Sequence, residues 1–167
     1  MARDKTENPP PDDFRDEDIP IEPSELDDKT HAELRMLYAE STETLRFVKN
    51  HQWKTVGATL LTYLGLIFVA GWTHADAAMI NKLMAITILL ATAVIFTLVI
   101  YQFWMHNEAT KIDHMNPFMS NLFRGIRAAK STREGNIHRY MLLGFMATVV
   151  ALGAVVVHLA LDRIAAG

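Results

Sequence analysis

Three stretches of this chain run without a charged residue for about the thickness of a bilayer, and that constrains its fold more than any other feature. Residues 55–73 are nineteen uncharged residues, and residues 83–104 and 140–161 are twenty-two each. At 1.5 Å per residue they form helices of about 28, 33 and 33 Å, against a hydrocarbon core of roughly 30 Å. A single stretch of this kind reads equally well as the buried helix of a soluble domain. Three within 167 residues do not, because too little polar chain remains to wrap them. The expected fold class is an all-α integral membrane protein with three transmembrane helices.

Charge sets the expected orientation. Near the first span lie Arg35, Arg46, Lys49 and Lys54, and between the second and third lie Lys111, Arg124, Arg127, Lys130, Arg133 and Arg139. The opposite side has only Lys82 and Arg163. The positive-inside rule then places the N-terminus in the cytoplasm and the C-terminus outside. Trp53, Lys49 and Lys54 read as interface anchors at the inner face, and Trp72 and Trp104 mark the ends of their own spans, as in an aromatic belt.

The formal net charge of -3 hides an uneven distribution. Residues 1–28 hold eleven of the nineteen acids, three bases and five of the six prolines, so residues 29–167 carry a net +5. A segment so acidic, so proline-rich and so poor in apolar side chains does not recover the entropy lost on folding, and disorder is expected over 1–28. It has neither the basic start nor the apolar run of a signal peptide. With no presequence, the first span serves as the insertion signal, and a bacterial inner membrane is the expected location. The chain has no cysteine, which excludes disulfides, thiolate metal sites and cysteine catalysis.

Residues 29–54 read as a cytoplasmic amphipathic helix entering the first span. Leu34, Leu37, Tyr38, Ser41, Leu45, Val48 and Gln52 recur on one stripe, with Glu40, Glu43, Arg46 and Asn50 opposite. Asp27, Asp28 and Thr30 are candidate caps. With no proline between Pro23 and the membrane, the helix can enter it unbroken as a stalk of about 35 Å. Its stripe fits two partners, the chain's own second loop or another copy.

A short outer loop, 74–82, follows the first span. Residues 105–139 form a basic cytoplasmic loop, too long to be structureless, and residues 162–167 an outer C-terminus. Asn116-Pro117 is a helix-start signal, and Phe118, Leu122, Phe123, Ile126 and Ala129 oppose Arg124, Arg127 and Lys130. A basic amphipathic helix facing an anionic leaflet lies in the interface, so Arg124, Arg127, Lys130 and Arg133 are expected to bind lipid. An acidic partner or phosphate ligand, and the chain's own acidic tail, are further occupants for that surface.

The spans contain no Asp, Glu, Lys or Arg, and the one ionisable side chain of the usual relay types is His158. With Gly144, Ala147, Thr148 and Ala151 it marks a small-residue face for helix packing. Its ordinary role is a hydrogen bond; its sharper one is haem or metal ligation, with His74 as a companion. His51, His106 and His138 stand at the inner ends of three different spans, yet none has the spacing that places two ligands on one helical face. No metal or cofactor is expected.

Glycine-rich phosphate loops, nucleophile elbows, HExxH and paired carboxylates near a span are all missing from the sequence. Glu108 and Asp113 around Lys111 read as a solvated helix face. Membrane topology accounts for the basic stretch without nucleic acid.

A helix entering a transmembrane hairpin resembles the SLATT type of small pore-forming effectors of bacterial conflict systems. The third span departs from that layout. The leading expectation is a non-enzymatic accessory or scaffold subunit of a membrane complex, in contact with lipid and with protein partners or copies of itself. A homo-oligomeric pore is the alternative, for which Thr87, Thr92 and Thr97 step by five and form no single face. A haem or metal subunit is the second alternative.

Overall fold

The computed structural model describes residues 22–128 and 132–166, with the side chains of 128 and 132–136 not described. All its regular structure is helical: α1 (Asp28–Trp72), α2 (Ala77–Met115), a 3-10 turn (Asn116–Phe118), α3 (Asn121–Ala128) and α4 (Thr132–Ala166). α1, α2 and α4 are each long and apolar enough to cross a membrane. They run up, down and up, and each packs on the other two. One end of the bundle, hereafter the polar end, gathers the start of α1, the end of α2, α3 and the start of α4. The hairpin end holds the α1–α2 connection and the C-terminus of α4.

α1 begins where a cap stops the chain. The Asp27 carboxylate accepts from the backbone N–H groups of Lys29 and Thr30 at 3.0 and 3.1 Å, and from the Thr30 hydroxyl at 2.7 Å. These bonds satisfy donors that a first turn leaves open, and they hold the Asp27 carboxyl below the ordinary carboxylate range, the Thr30 hydroxyl foremost. Residues 22–28 of the segment expected to be disordered are among the described residues. Residues 1–21 lie outside the described residues. From Asp28 the helix runs unbroken for 45 residues to Trp72, about 67 Å.

The hairpin end closes in a Schellman motif. Ala75 N–H donates to the Ala70 carbonyl at 3.1 Å and His74 N–H to that of Gly71 at 3.4 Å. His74, at φ 47°, takes the left-handed position where glycine is usual. The Asp76 side chain then caps α2 through Met79 N–H. The connection is shorter than the expected 74–82 loop because α2 starts at Ala77.

The core forms two layers. Toward the hairpin end, Tyr63 and Ala70 of α1 meet Ile80 and Leu83 of α2 and Ala154, Val157 and Leu161 of α4. Toward the polar end, Val56 meets Val94, Leu98, Met146 and Val150. Gly153 lets α4 approach α1 closely, since a β-carbon there would stand 2.9 Å from the Tyr63 ring. Between 17% and 28% of the apolar window of each long helix is buried. Most of the apolar surface therefore faces outward, more than a soluble monomer exposes and as lipid requires.

The expected loop 105–139 is mostly helix. α2 continues past Trp104 to Met115, because no proline or glycine interrupts it until Asn116-Pro117. The helix-start reading of Asn116-Pro117 is corrected: it opens only a single 3-10 turn. Ser120 is the residue that starts α3, its hydroxyl accepting from Phe123 N–H and its carbonyl from Arg124 N–H.

Candidate functional site

The polar end is where charged and polar side chains converge. Its inner layer centres on Glu108, which is 7% exposed. The carboxylate accepts from the Lys111 ammonium at 2.7 Å, one turn on along α2. Ser41 of α1 and Trp104 of α2 lie close enough to it to favour its ionised form. The Lys111 hydrogen bond is the main reason its pKa lies below the ordinary 4.5; desolvation opposes it, and the Ser41 and Trp104 donors add to the depression. Gln52 and Gln102 are buried nearby on α1 and α2, next to the apolar layer. The expectation that Glu108 sits on a solvated helix face is thus corrected: α1 covers it.

The outer layer fastens α3 onto the two long helices. Phe123 meets Tyr38 of α1 edge-on, with ring centroids 5.5 Å apart. Arg127 donates to the Tyr38 hydroxyl at 3.3 Å and pairs with Asp113 of α2 at 2.9 Å. Arg139 of α4 donates to the Met105 carbonyl at 3.4 Å, tying α4 to the extension of α2. The side of α1 that receives these contacts is the predicted stripe in outline: Ser41, Val48 and Gln52 are buried, Leu34, Tyr38 and Leu45 half-buried, and Leu37 exposed.

The segment before α1 is fastened to the same place. Glu22 N–H donates to Asn121 Oδ1 at 3.0 Å, Asn121 N–H donates to the Glu22 carbonyl at 3.4 Å, and the Ser24 hydroxyl donates to the Phe118 carbonyl at 2.8 Å.

Of the four basic residues expected to act together, Arg124 and Arg127 have described side chains. Arg127 is engaged with Tyr38 and Asp113, while Arg124, three residues earlier on α3, is exposed. Lys130 lies outside the described residues, and Arg133 is placed in backbone only. Nor does α3 lie along the end of the uncharged runs. Met115 is about 16 Å beyond Trp104, and Thr132 about 12 Å before Tyr140, so α3 joins two points well outside them. Its attachment to the α1 stalk accounts for that elevation.

The anchor residues Trp53, Lys49, Lys54, Trp72 and Trp104 are all exposed, although Trp104 also serves Glu108. The small-residue face of α4 points outward: Gly144, Thr148 and Ala151 are exposed and Ala147 and His158 half-buried. Packing within the chain runs instead through Met146, Val150, Gly153, Ala154, Val157 and Leu161. Both faces carry small residues at helical spacing, and Gly153, between Leu152 and Ala154, was the signal available for the second.

His158 bonds the Ala154 carbonyl of its own helix at 2.9 Å, and His51 bonds that of Phe47 at 3.2 Å. Among the described residues no three His, Cys, Asp or Glu side chains gather into a metal-ligating group. The hydroxyls of Thr59, Thr62, Thr87, Thr92, Thr97 and Thr148 each donate to the carbonyl four residues earlier. A hydroxyl so engaged is satisfied within its helix, as hydrocarbon requires.

Comparison with protein-family models, curated proteins and solved structures returns no significant match.

Proposed function

We propose that this multi-pass membrane protein is a non-enzymatic accessory or scaffold subunit of a membrane complex. In this reading the polar end lies in the cytoplasm beneath a bacterial inner membrane and the hairpin end outside. The ten-to-two bias of bases carries the orientation. The observation that carries the role is the outward small-residue face of α4, Gly144, Ala147, Thr148 and Ala151. Intrachain packing leaves it open to a transmembrane helix from elsewhere. The polar end supports the same role, since Arg127 joins α3 to Tyr38 of α1 and Asp113 of α2 there.

The pore reading has less behind it, because the threonines that could line a path donate to their own helices. Purification in mild detergent from the native membrane, with native mass spectrometry of what co-elutes, tests the proposal. A stoichiometric larger complex is expected. A homo-oligomer without companions would replace it with the pore reading, and planar-bilayer conductance would then be measured.

A further inference from the structure

One apolar ridge at the polar end is left uncovered by the described residues. Leu122 and Ile126, one turn apart on α3, are 51% and 70% exposed, and Phe118 in the 3-10 turn before them is 55% exposed. The neighbouring side of α3, with Phe123 and Arg127, is already engaged with α1 and α2. Since α3 stands more than about 10 Å beyond the uncharged runs, hydrocarbon is not what covers the ridge.

We propose that the acidic segment, residues 1–21 of the same chain, folds back along α3 and covers Phe118, Leu122 and Ile126. The first support is where the segment arrives. Glu22 exchanges two hydrogen bonds with Asn121, and Ser24 holds the Phe118 carbonyl, so the chain enters at the first residue of α3. Ile21 is one peptide, about 3.8 Å between Cα atoms, from the anchored Glu22, and Leu122 is equally close to Asn121.

The second is local pattern. Ile19 and Ile21 flank Pro20 and are the apolar residues of the acidic segment nearest in sequence to the anchored Glu22. Reach is ample, since twenty-one residues extend about 70 Å against about 12 Å for α3.

The third is charge. Residues 1–21 contain seven acids and three bases, whereas residues 121–139 contain five bases and one acid. Arg124, exposed on the same helix, is a described member of that basic set. This proposal stands independently of the accessory reading and of the orientation, because it concerns contacts within one chain.

Photocrosslinking in the full chain tests it. Benzoylphenylalanine replaces Ile126, and separately Leu122, in protein reconstituted into nanodiscs of mixed phosphatidylcholine and phosphatidylglycerol, with isotope-labelled and unlabelled chains mixed. Crosslinks from both sites are expected to fall within residues 1–21 of the same isotopic chain. Their yield should drop roughly fivefold at about 0.5 M salt, where exposed charges are screened beyond a few Å. A variant with Asp12, Asp13, Asp16, Glu17 and Asp18 changed to the corresponding amides should show a similar drop with helical content unchanged. Crosslinks to lipid, or between differently labelled chains, would overturn the proposal. So would a yield indifferent to both salt and neutralisation.

Discussion

The Tyr63 ring occupies the space that a β-carbon on Gly153 would take, 2.9 Å from both Cδ2 and Cε2. The closest approach of α4 to α1 therefore depends on one hydrogen atom in place of a methyl group. Gly153→Ala is expected to lower stability by about 1–3 kcal/mol through overpacking. Gly57→Ala and Gly65→Ala, which meet open space, should leave it unchanged or raise it by up to ~1 kcal/mol. Unfolding of reconstituted protein by titrated sodium dodecyl sulfate, followed by circular dichroism, distinguishes the three. A Gly153→Ala protein as stable as the parent would contradict the packing described.

Tyr63 carries a second consequence. Its hydroxyl is buried with no hydrogen-bond partner among the described residues, and an unsatisfied buried hydroxyl is destabilising. Tyr63→Phe keeps the ring against Gly153 and should raise stability by about 1 kcal/mol. A loss of stability in the same unfolding assay would mean that the hydroxyl has a partner after all.

The Glu108 carboxylate predicts how the polar end responds to acid. Its folded pKa is depressed, so the stability it contributes is fully present above the unfolded value near 4.5 and is lost as pH falls through the lower folded value. Hydrogen exchange along residues 105–115 should accelerate over that acid window in the parent. In Glu108→Gln the exchange should already be faster at neutral pH, and this acid-dependent step should disappear. An identical acid profile in the variant would assign the response to another group.

Arg127 joins α3 to two helices at once, and its removal should release α3 without melting the bundle. The pair with Asp113 is partly exposed, with side chains 29% and 45% accessible, so Arg127→Ala should cost about 0.5–1 kcal/mol locally. Amide exchange over 121–127 is expected to rise while that of the buried parts of α1, α2 and α4 stays constant. Restoring the pair with charges reversed, Arg127→Asp with Asp113→Arg, should recover part of the protection.

His74 holds a left-handed backbone conformation at the end of α1. Glycine takes that conformation without the steric penalty a side chain brings, so His74→Gly should stabilise the hairpin end by about 0.5–1 kcal/mol. His74→Val should destabilise it, because branching at the β-carbon is least tolerated at positive φ. Equal stability of the two variants would remove the turn from the account.

The three spans were legible because burial in lipid demands long uncharged runs, and nothing in a short water-soluble chain produces three of them. The unbroken α1 was legible from the absence of proline between Pro23 and the end of the first uncharged run. The extension of α2 was not, since the charges at Glu108, Lys111 and Asp113 end the apolar run without ending the helix. Glu108 looked solvated because its covering partner, Ser41, is supplied by a different helix and only the fold brings it near. Gly153 was missed for a related reason: a span apolar all round does not announce which of its faces meets protein. Arg127 was singled out by its charge, but its partners Tyr38 and Asp113 belong to two other elements, so its role in fastening α3 needed the structure.

The length and continuity of α1 make it a lever. From Asp28 to Trp72 no proline interrupts it, and up to Lys54 there is no glycine either. A rod of about 67 Å that tilts by about 5° at one end displaces the other by about 6 Å, enough to shift a packed side chain by a full helical turn. Tyr38, Ser41 and the cap at Asp27 thus share one continuous, proline-free helix with the Trp72 end.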